Sequence, residues 1–335
     1  MHTAGEPVRI IEDGYPTLFG STILEKRRDA LEKHDSIREA LMLEPRGHAG
    51  MYGVIPVLPS HPDADLAVLF THNEGYSTMC GHATIAIGRW AVDTGRIPVT
   101  AGRATFKLET PCGVVDVEVV RKGGELASVS FVGVPSFVSH HGLSLAVPGL
   151  DSVELDIAFG GAYYAILPGS RIGLPLSSTP LNQLIQAATR ITNTVRERVP
   201  IVHPDHKDLG FLYGTILVDD VSIDQPTYNL CVFADGQIDR SPTGSGVAAR
   251  MALDVARGHA RPGKVREFRG VSGEGFTGEV IAIKGDGIDA VSTIRVQGEA
   301  YYTARTEYLI EAGDPFARGF KLPRSFDTFE MRSGR

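Results

Sequence analysis

The sequence contains few cysteines and no long apolar run, and these absences exclude several classes of protein. Cys80, Cys112 and Cys231 are the three cysteines among 335 residues. They are too few and too far apart for a disulfide framework or a paired-cysteine metal knuckle. No segment approaches the roughly 18 to 20 consecutive apolar residues of a transmembrane helix, and the first ten residues lack the order of a signal peptide. We therefore expect a cytoplasmic, globular protein with no membrane contact.

Basic residues are also in short supply, with 33 Lys and Arg against 40 Asp and Glu, for a formal net charge of −7. This balance argues against a nucleic-acid-binding surface. The sequence has no phosphate-binding loop, no GxSxG elbow and no HExxH pair. Gly273–Gly278 fits the dinucleotide pattern GxGxxG, but a predicted strand follows it where a helix is required. His203 and His206 flank a proline in a predicted loop, so we expect no metal site.

Glycine is the residue in excess, with 38 copies, about 11% of the chain against a usual value of about 7%. Many turns or close backbone approaches are therefore expected. Apolar periodicity predicts amphipathic helices over 22–43 and 181–199. Alternating or continuous apolar runs predict strands at 8–11, 64–70, 104–137 (as hairpins), 153–167, 214–218, 228–233, 279–283 and 290–297.

The length is typical of two domains. We expect one half over 1–150 and a second over 151–304, with residues 305–335 able to pack back on the first half. The end of the chain, from Asp314 on, is predicted to be a polar surface tail.

Two segments half a chain apart are similar. They are CGHATIAIGRWAVDTG at 80–95 and TGSGVAARMALDVARG at 243–258. With a constant offset of 163 residues, four pairs are identical: Gly81/Gly244, Ala86/Ala249, Val92/Val255 and Gly95/Gly258. The amphipathic helices precede them with a similar offset of 159. This shared order of helix, strands and glycine-opened helix favours an internal duplication over chance.

Both repeated segments are predicted to be buried helices. Each is largely apolar around its circumference, and each has a glycine at the position that commonly ends a helix. The predicted architecture is α+β, with two pseudo-symmetric halves, each of strands wrapped around a buried central helix. The two helix N-termini would face each other across the cleft between the halves.

Facing helix N-termini suit the chemistry of a carboxylate. Their unpaired backbone N–H groups and partial positive charge bind anions. Cys80 lies at such a terminus, where the pKa of a thiol is expected to fall below about 8.5. A thiolate there is placed to remove a proton α to a bound carboxylate. Taken alone, Cys80 could be an inert core cysteine and His82 a simple cap; Cys112 and Cys231, in predicted strands, are interpreted as core.

Four segments resemble one known family. They are MHTAGEPVRI at 1–10, EPRGHAGMYG at 44–53, MCGHATIAIGRW at 79–90 and DRSPTGSG at 239–246. In content and order they are similar to the signatures of the proline racemase family. The resemblance implies a diaminopimelate-epimerase-like fold, a small imino-acid substrate between the halves, no cofactor and a possible homodimer.

The sequence departs from the racemases of that family at one position. Racemases use two cysteines, one on each face of the substrate α-carbon, and this chain keeps Cys80 but has Thr243 where the second cysteine stands. A threonine hydroxyl has no useful acidity near neutral pH, so two-base racemisation is not expected. The Cys-plus-Thr pattern resembles that of the trans-3-hydroxy-L-proline dehydratases, a branch of the same family.

The resemblance implies a role for each site residue. The substrate carboxylate would be held by the backbone amides of Gly81, His82, Gly244 and Ser245. Asp239, together with His82, would hold the ring nitrogen. Cys80 would remove the α-proton, the 3-hydroxyl would leave as water, and the enamine would tautomerise to Δ1-pyrroline-2-carboxylate. Thr243 would either donate a hydrogen bond to the substrate or fill space.

Two alternatives stay open at this point. A proline racemase or hydroxyproline 2-epimerase would take up α-deuterium with inversion. An inactive amino-acid-binding homologue would bind pyrrole-2-carboxylate without turnover, although binding alone does not require the thiol of Cys80.

Overall fold

Strands dominate the fold, and five α-helices pack against them in residues 1–322, the part of the chain that the computed structural model describes. The helices are α1 (Ile23–Lys33), α2 (Asp35–Met42), α3 (Gly81–Asp93), α4 (Leu181–Arg198) and α5 (Gly244–Ala256). The strands are β1 (His2–Thr3), β2 (Glu6–Pro7), β3 (Arg9–Ile10), β4 (Tyr52–Val57), β5 (Leu66–His72), β6 (Gly75–Ser77), β7 (Arg103–Thr110), β8 (Gly113–Lys122), β9 (Glu125–Val132), β10 (Ser136–Ala146), β11 (Ser152–Phe159), β12 (Tyr163–Pro168), β13 (Leu212–Val218), β14 (Thr227–Phe233), β15 (Gln237–Ile238), β16 (Val265–Arg269), β17 (Gly275–Lys284), β18 (Val291–Gly298) and β19 (Ala300–Tyr301).

One long path of paired strands connects most of the molecule. It runs in the order β10-β11-β12-β13-β14-β16-β17-β18-β9-β8-β7-β5-β4-β3. Since β10 also pairs with β18, the eight strands from β10 to β18 along this path close into a ring. The rest of the path continues through β9 to β3 and covers the other central helix. This mixed architecture of strands around two buried helices agrees with the predicted fold class.

Side chains of successive strand residues point alternately to the inner and the outer face of this ring of strands. In β12, Tyr164 and Ile166 pack in the cluster that contains the α5 residues Ala249 and Leu253. Their neighbours in the same strand, Leu167 among them, pack instead with α4. Successive side chains of a strand point to opposite faces, so α5 lies inside the ring and the amphipathic α4 covers it from outside.

The two central helices share their length, their burial and their ends. Each has 13 residues, nearly all buried. Gly95 and Gly258 follow them, both with φ of +73°, a left-handed conformation that glycine adopts without steric cost. The amide of Gly95 donates to Val92, and that of Gly258 donates to Val255. The end of the repeat is thus the same structure in both halves.

The starts of α3 and α5 touch each other through backbone. A Cβ atom on Gly81 would lie 2.4 Å from the Cα of Gly244, and a Cβ on Gly244 would lie 2.6 Å from the Cα of Gly81. No side chain fits at either position, so the paired glycines of the repeat are a requirement of packing. This contact brings the two helix N-termini to one point, as predicted.

Three local predictions were wrong. The helix expected over 22–43 is two helices, because the chain leaves helical geometry at His34 and Arg38 anchors α2 separately on the carbonyls of His72 and Asn73. Strand β4 was missed because Pro56 interrupts its apolar run, and proline usually argues against a strand. Cys112 lies in the turn between β7 and β8 and not in a strand; Cys231 lies in β14, and both thiols are buried.

The division into halves at residue 150 stays a prediction, since β10 and β11 pair across that point. After β19, residues 302–322 run without helix or regular strand. Arg46 binds this stretch by donating to the carbonyls of Leu309 and Phe316 and by pairing with Asp314. Residues 323–335 of the predicted tail lie outside the described residues. Within 1–322, no helix has the length and hydropathy needed to cross a bilayer.

Candidate active site

Cys80 caps the start of α3 from an extended backbone conformation. Its Sγ accepts the N–H of Ala83 at 3.4 Å and lies 3.1 Å from Nδ1 of His82. The thiol therefore occupies the anion-binding end of the helix, with an imidazole directly beside it.

The expectation of a lowered pKa for Cys80 is wrong for this closed arrangement. Burial raises the pKa of the thiol well above its usual value, and the charges of Asp239 and Glu6 raise it further. The amide of Ala83 and the hydroxyl of Tyr52 act in the opposite direction. Desolvation disfavours the charged thiolate more than the helix terminus favours it.

Asp239 and Thr243 stand opposite, in the short loop between β15 and α5. Thr243 Oγ1 donates to Asp239 Oδ2 at 2.9 Å, and the amide of Ser241 donates to Oδ1 at 2.8 Å. Thr243 has φ of +64°, a left-handed conformation that is unfavourable for a β-branched residue. These hydrogen bonds hold the strained loop, and they commit the threonine hydroxyl to the carboxylate.

His82 connects the two sides. Its Nδ1 is 4.0 Å from Asp239 Oδ2. Burial lowers the pKa of His82 to about 4, although Asp239 and the carbonyl of Pro7 act against this change. The imidazole is therefore neutral at neutral pH, and each ring nitrogen can donate or accept according to its tautomer.

The remaining predicted residues lie at the contact between the helices. Ser245 Oγ and the hydroxyl of Tyr164 are 2.8 Å apart. The N–H groups in the first turn of a helix have no partner within that helix and point out of its N-terminus. Because α3 and α5 meet at Gly81 and Gly244, the backbone amides of these glycines, His82 and Ser245 all lie at this contact. The structure thus brings all seven predicted site residues together: Cys80, Gly81, His82, Asp239, Thr243, Gly244 and Ser245.

Glu6 and Tyr52 belong to this site, and the sequence analysis did not single them out. Glu6 is fully buried, and its Oε2 accepts the amide of Arg240, next to Asp239, at 2.7 Å. Burial and the charge of Asp239 raise the pKa of Glu6. The Tyr52 ring lies edge-on to His82, with centroids 4.8 Å apart. Both residues lie in segments that carry the family resemblance, GEP at the N-terminus and GMYG at 50–53, and that was the available signal.

The site is closed. Cys80, Asp239 and Thr243 are each at most 6% exposed, so a substrate enters only when the elements around them separate. Arg240 joins the loop before α5 to two N-terminal segments, since it donates to the carbonyl of Gly50 at 3.0 Å and pairs with Glu6. A cleft of about 350 Å³ lies beside Arg240 and Gly50, on the outer side of this contact.

Comparisons with known proteins identify relatives of this chain. The model of the proline racemase family matches residues 1–321. A trans-L-3-hydroxyproline dehydratase from Saccoglossus kowalevskii is 48% identical over 326 residues, covering 96% of this chain and 100% of that protein. The human trans-3-hydroxy-L-proline dehydratase is 45% identical over 329 residues, covering 96% of this chain and 93% of its own. A trans-3-hydroxy-L-proline dehydratase from Colwellia psychrerythraea is 40% identical, with 96% and 91% covered.

Solved structures show the same fold. A probable proline racemase from Agrobacterium radiobacter, with bound carbonate, superposes with a TM-score of 0.89 at 26% identity, covering 97% of this chain and 95% of that one. A hydroxyproline epimerase from Agrobacterium vitis, with bound trans-4-hydroxy-L-proline, also reaches 0.89, at 24% identity, covering 96% and 93%. Because the family model matches residues 1–321, nearly the whole length of this chain, the chain belongs to the proline racemase family.

Proposed function

We propose that the protein dehydrates trans-3-hydroxy-L-proline to Δ1-pyrroline-2-carboxylate without a cofactor. The observation that carries this proposal is the pairing of Cys80 with Thr243 at the touching helix starts, with the threonine hydroxyl bonded to Asp239. One face of the site then has the thiol of Cys80, and the other presents the hydroxyl of Thr243, which is too weak an acid to complete a racemisation. The names of the curated relatives support the same reaction.

The substrate carboxylate binds where the two helices meet. The amides of Gly81, His82, Gly244 and Ser245 would donate to its oxygens, and two helix dipoles add to the attraction. The same donors stabilise the enolate-like charge that develops on these oxygens when the α-proton leaves.

The ring nitrogen binds beside Asp239 and His82. A protonated secondary amine there offsets the carboxylate charge that raises the pKa of Cys80. The substrate carboxylate brings a negative charge, but this charge lies against the helix amides. Substrate binding therefore favours the thiolate that the reaction requires.

The elimination needs one face of the ring. In the trans isomer the 3-hydroxyl lies on the same face as the α-hydrogen. The thiolate of Cys80 takes the α-proton, the electron pair of that C–H bond forms the double bond between Cα and C3, and the C3–O bond breaks. A proton bonds to the departing hydroxyl, which leaves as water, and the enamine takes the imine form in a later proton shift. Thr243 contributes by fixing Asp239.

Proton NMR of trans-3-hydroxy-L-proline incubated with the protein in D2O tests this function. We expect loss of its ring signals and appearance of the pyrroline carboxylate, and Cys80→Ser should slow this by at least about 10²-fold because the hydroxyl is a far weaker base. Cys112→Ser, which removes a buried thiol outside the site, is the matched control. An epimer that accumulates with α-deuterium would show an epimerase instead. Binding of pyrrole-2-carboxylate without turnover of the hydroxyproline would show an inactive homologue.

The compartment and the assembly belong to the same proposal. A cytoplasmic location is supported by three thiols that are unpaired and buried, as is usual where the environment is reducing. A homodimer stays a prediction from the family resemblance, and light scattering on the purified protein would test it.

A further inference from the structure

Tyr52 is a buried phenol at the candidate site to which the proposed mechanism gives no role. It is the first residue of β4 and is 3% exposed. Its ring packs edge-on against His82, whose Nδ1 lies 3.1 Å from the Cys80 thiol. The Tyr52 hydroxyl hydrogen-bonds the side chain of Ser77, and it lies close enough to the Cys80 thiol to act on the pKa of that thiol.

Tyr52 and Cys80 lie on the same side of the site. Tyr52 comes from β4 and Cys80 from the start of α3, whereas Asp239 and Thr243 approach from the loop before α5. In trans-3-hydroxy-L-proline the α-hydrogen and the 3-hydroxyl share one ring face. A substrate whose α-hydrogen faces the thiol therefore also turns its hydroxyl toward this side, where the phenol of Tyr52 is a neighbouring proton donor.

We propose that Tyr52 is a catalytic acid that protonates the departing 3-hydroxyl and is then reprotonated by Cys80. This proposal rests on the proposed dehydratase function. The thiolate of Cys80 takes the α-proton and becomes a thiol. The phenol O–H bond breaks, its proton bonds to the leaving oxygen, and water departs with the electrons of the C3–O bond. The phenolate then takes the proton from the thiol, which restores both groups, so no outside acid is consumed.

The surroundings of Tyr52 suit this role. Burial raises the pKa of its phenol, so it holds its proton until a basic oxygen develops beside it. Ser77 can donate its hydroxyl proton to the phenol oxygen, which leaves the phenolic proton free for the substrate and stabilises the transient phenolate. Thr243 cannot donate a proton to the leaving hydroxyl while its own hydroxyl proton is bonded to Asp239. Racemisation involves no leaving group and would need no such acid.

Tyr52→Phe tests the proposal, with Tyr163→Phe as the matched control. Tyr163 is also fully buried and belongs to the hydrophobic core that packs with α4. Its hydroxyl donates to the carbonyl of Val202. We expect Tyr52→Phe to lower kcat for dehydration by about 10²-fold, with Kd for pyrrole-2-carboxylate unchanged within threefold. The control should keep kcat, and thermal unfolding should show both variants folded. A kcat within threefold of the parent protein would overturn the proposal, as would a loss of affinity equal to the loss of rate.

A change of leaving group separates acid catalysis from a structural role. Fluoride is a much weaker base than hydroxide and departs with less help from a proton donor. With trans-3-fluoro-L-proline, the effect of Tyr52→Phe should shrink from about 10²-fold to below about tenfold. Equal effects on both substrates would overturn the role of Tyr52 alone. A parent protein that does not dehydrate trans-3-hydroxy-L-proline would instead overturn the proposed function.

Discussion

At the scale of single residues, position 243 separates the reactions that this site could perform. A second thiol there would provide an acid on the far face of the ring. Thr243 provides a hydroxyl whose proton is bonded to Asp239, from a strained backbone that these bonds stabilise. In the proposed mechanism, Thr243 thus replaces a second acid and positions Asp239.

Thr243→Cys should therefore change the outcome of the reaction. With thiols on both faces, α-deuterium and an inverted epimer should appear when hydroxyproline or L-proline is incubated in D2O, while dehydration falls by about tenfold or more because Asp239 loses its hydroxyl partner. NMR resolves the products. Thr243→Ser keeps the hydroxyl and is the control, expected to dehydrate without inversion. Dehydration unchanged in the cysteine variant, with no inversion, would contradict this account of position 243.

Residue types were largely predictable, whereas their electrostatics were not. A thiol at a helix start and an aspartate before the next helix can be read from the motifs. The pKa of Cys80 depends on burial, on Asp239 and on Glu6, which comes from the far N-terminus. Those contacts are made only in the folded chain, so the expected lowering of the pKa had the wrong sign.

At the scale of elements, the site depends on two helix starts in backbone contact. The repeat of glycines at an offset of 163 indicated a pair of similar helices. It did not reveal why glycine is needed at Gly81 and Gly244, since that reason is a contact across half the chain. Glycines at the other ends of the same helices, Gly95 and Gly258, have a purely local reason in their positive φ.

Gly244→Ala and Gly258→Ala form a matched pair that tests this distinction. The first places a Cβ 2.6 Å from the Cα of Gly81, so the helix starts must move apart and the carboxylate site opens. We expect dehydration to fall by about 10²-fold, since a shift of about 1 Å has effects of this size. In Gly258→Ala the added Cβ has no atom within 4 Å, but the residue must keep a positive φ. This variant should lose about 1 kcal/mol of stability and retain its kcat. Chemical denaturation and initial rates measure both; equal loss of rate in the two variants would contradict the argument.

At the scale of the whole molecule, closure buries histidines together with the thiol. Burial lowers the pKa of His72 to about 3 and that of His82 to about 4, against about 6.5 in an unfolded chain. Below pH 6.5 the unfolded chain therefore binds more protons than the folded one. These two histidines therefore lower the free energy of unfolding as the pH drops from about 6.5 toward these lowered values, whereas Glu6, whose pKa burial raises, acts in the opposite direction.

Urea unfolding between pH 7.5 and pH 4.5 should show this loss. Each histidine contributes a slope of up to about 1.4 kcal/mol per pH unit within its window. His72→Gln should reduce the slope. An equal slope in His72→Gln and in the parent protein would contradict the burial of this imidazole.

The sequence by itself determined the family, the two central helices and the identities of the candidate site residues. These follow from local patterns: apolar periodicity, glycine at helix ends, and short motifs whose residues are neighbours in the chain. Only the tertiary structure decided that Gly81 meets Gly244, that Glu6 and Tyr52 join the site, and that the thiol of Cys80 is desolvated. Each of these is a contact between residues far apart in the chain, whose distance and burial are set by how the strands close around the helices.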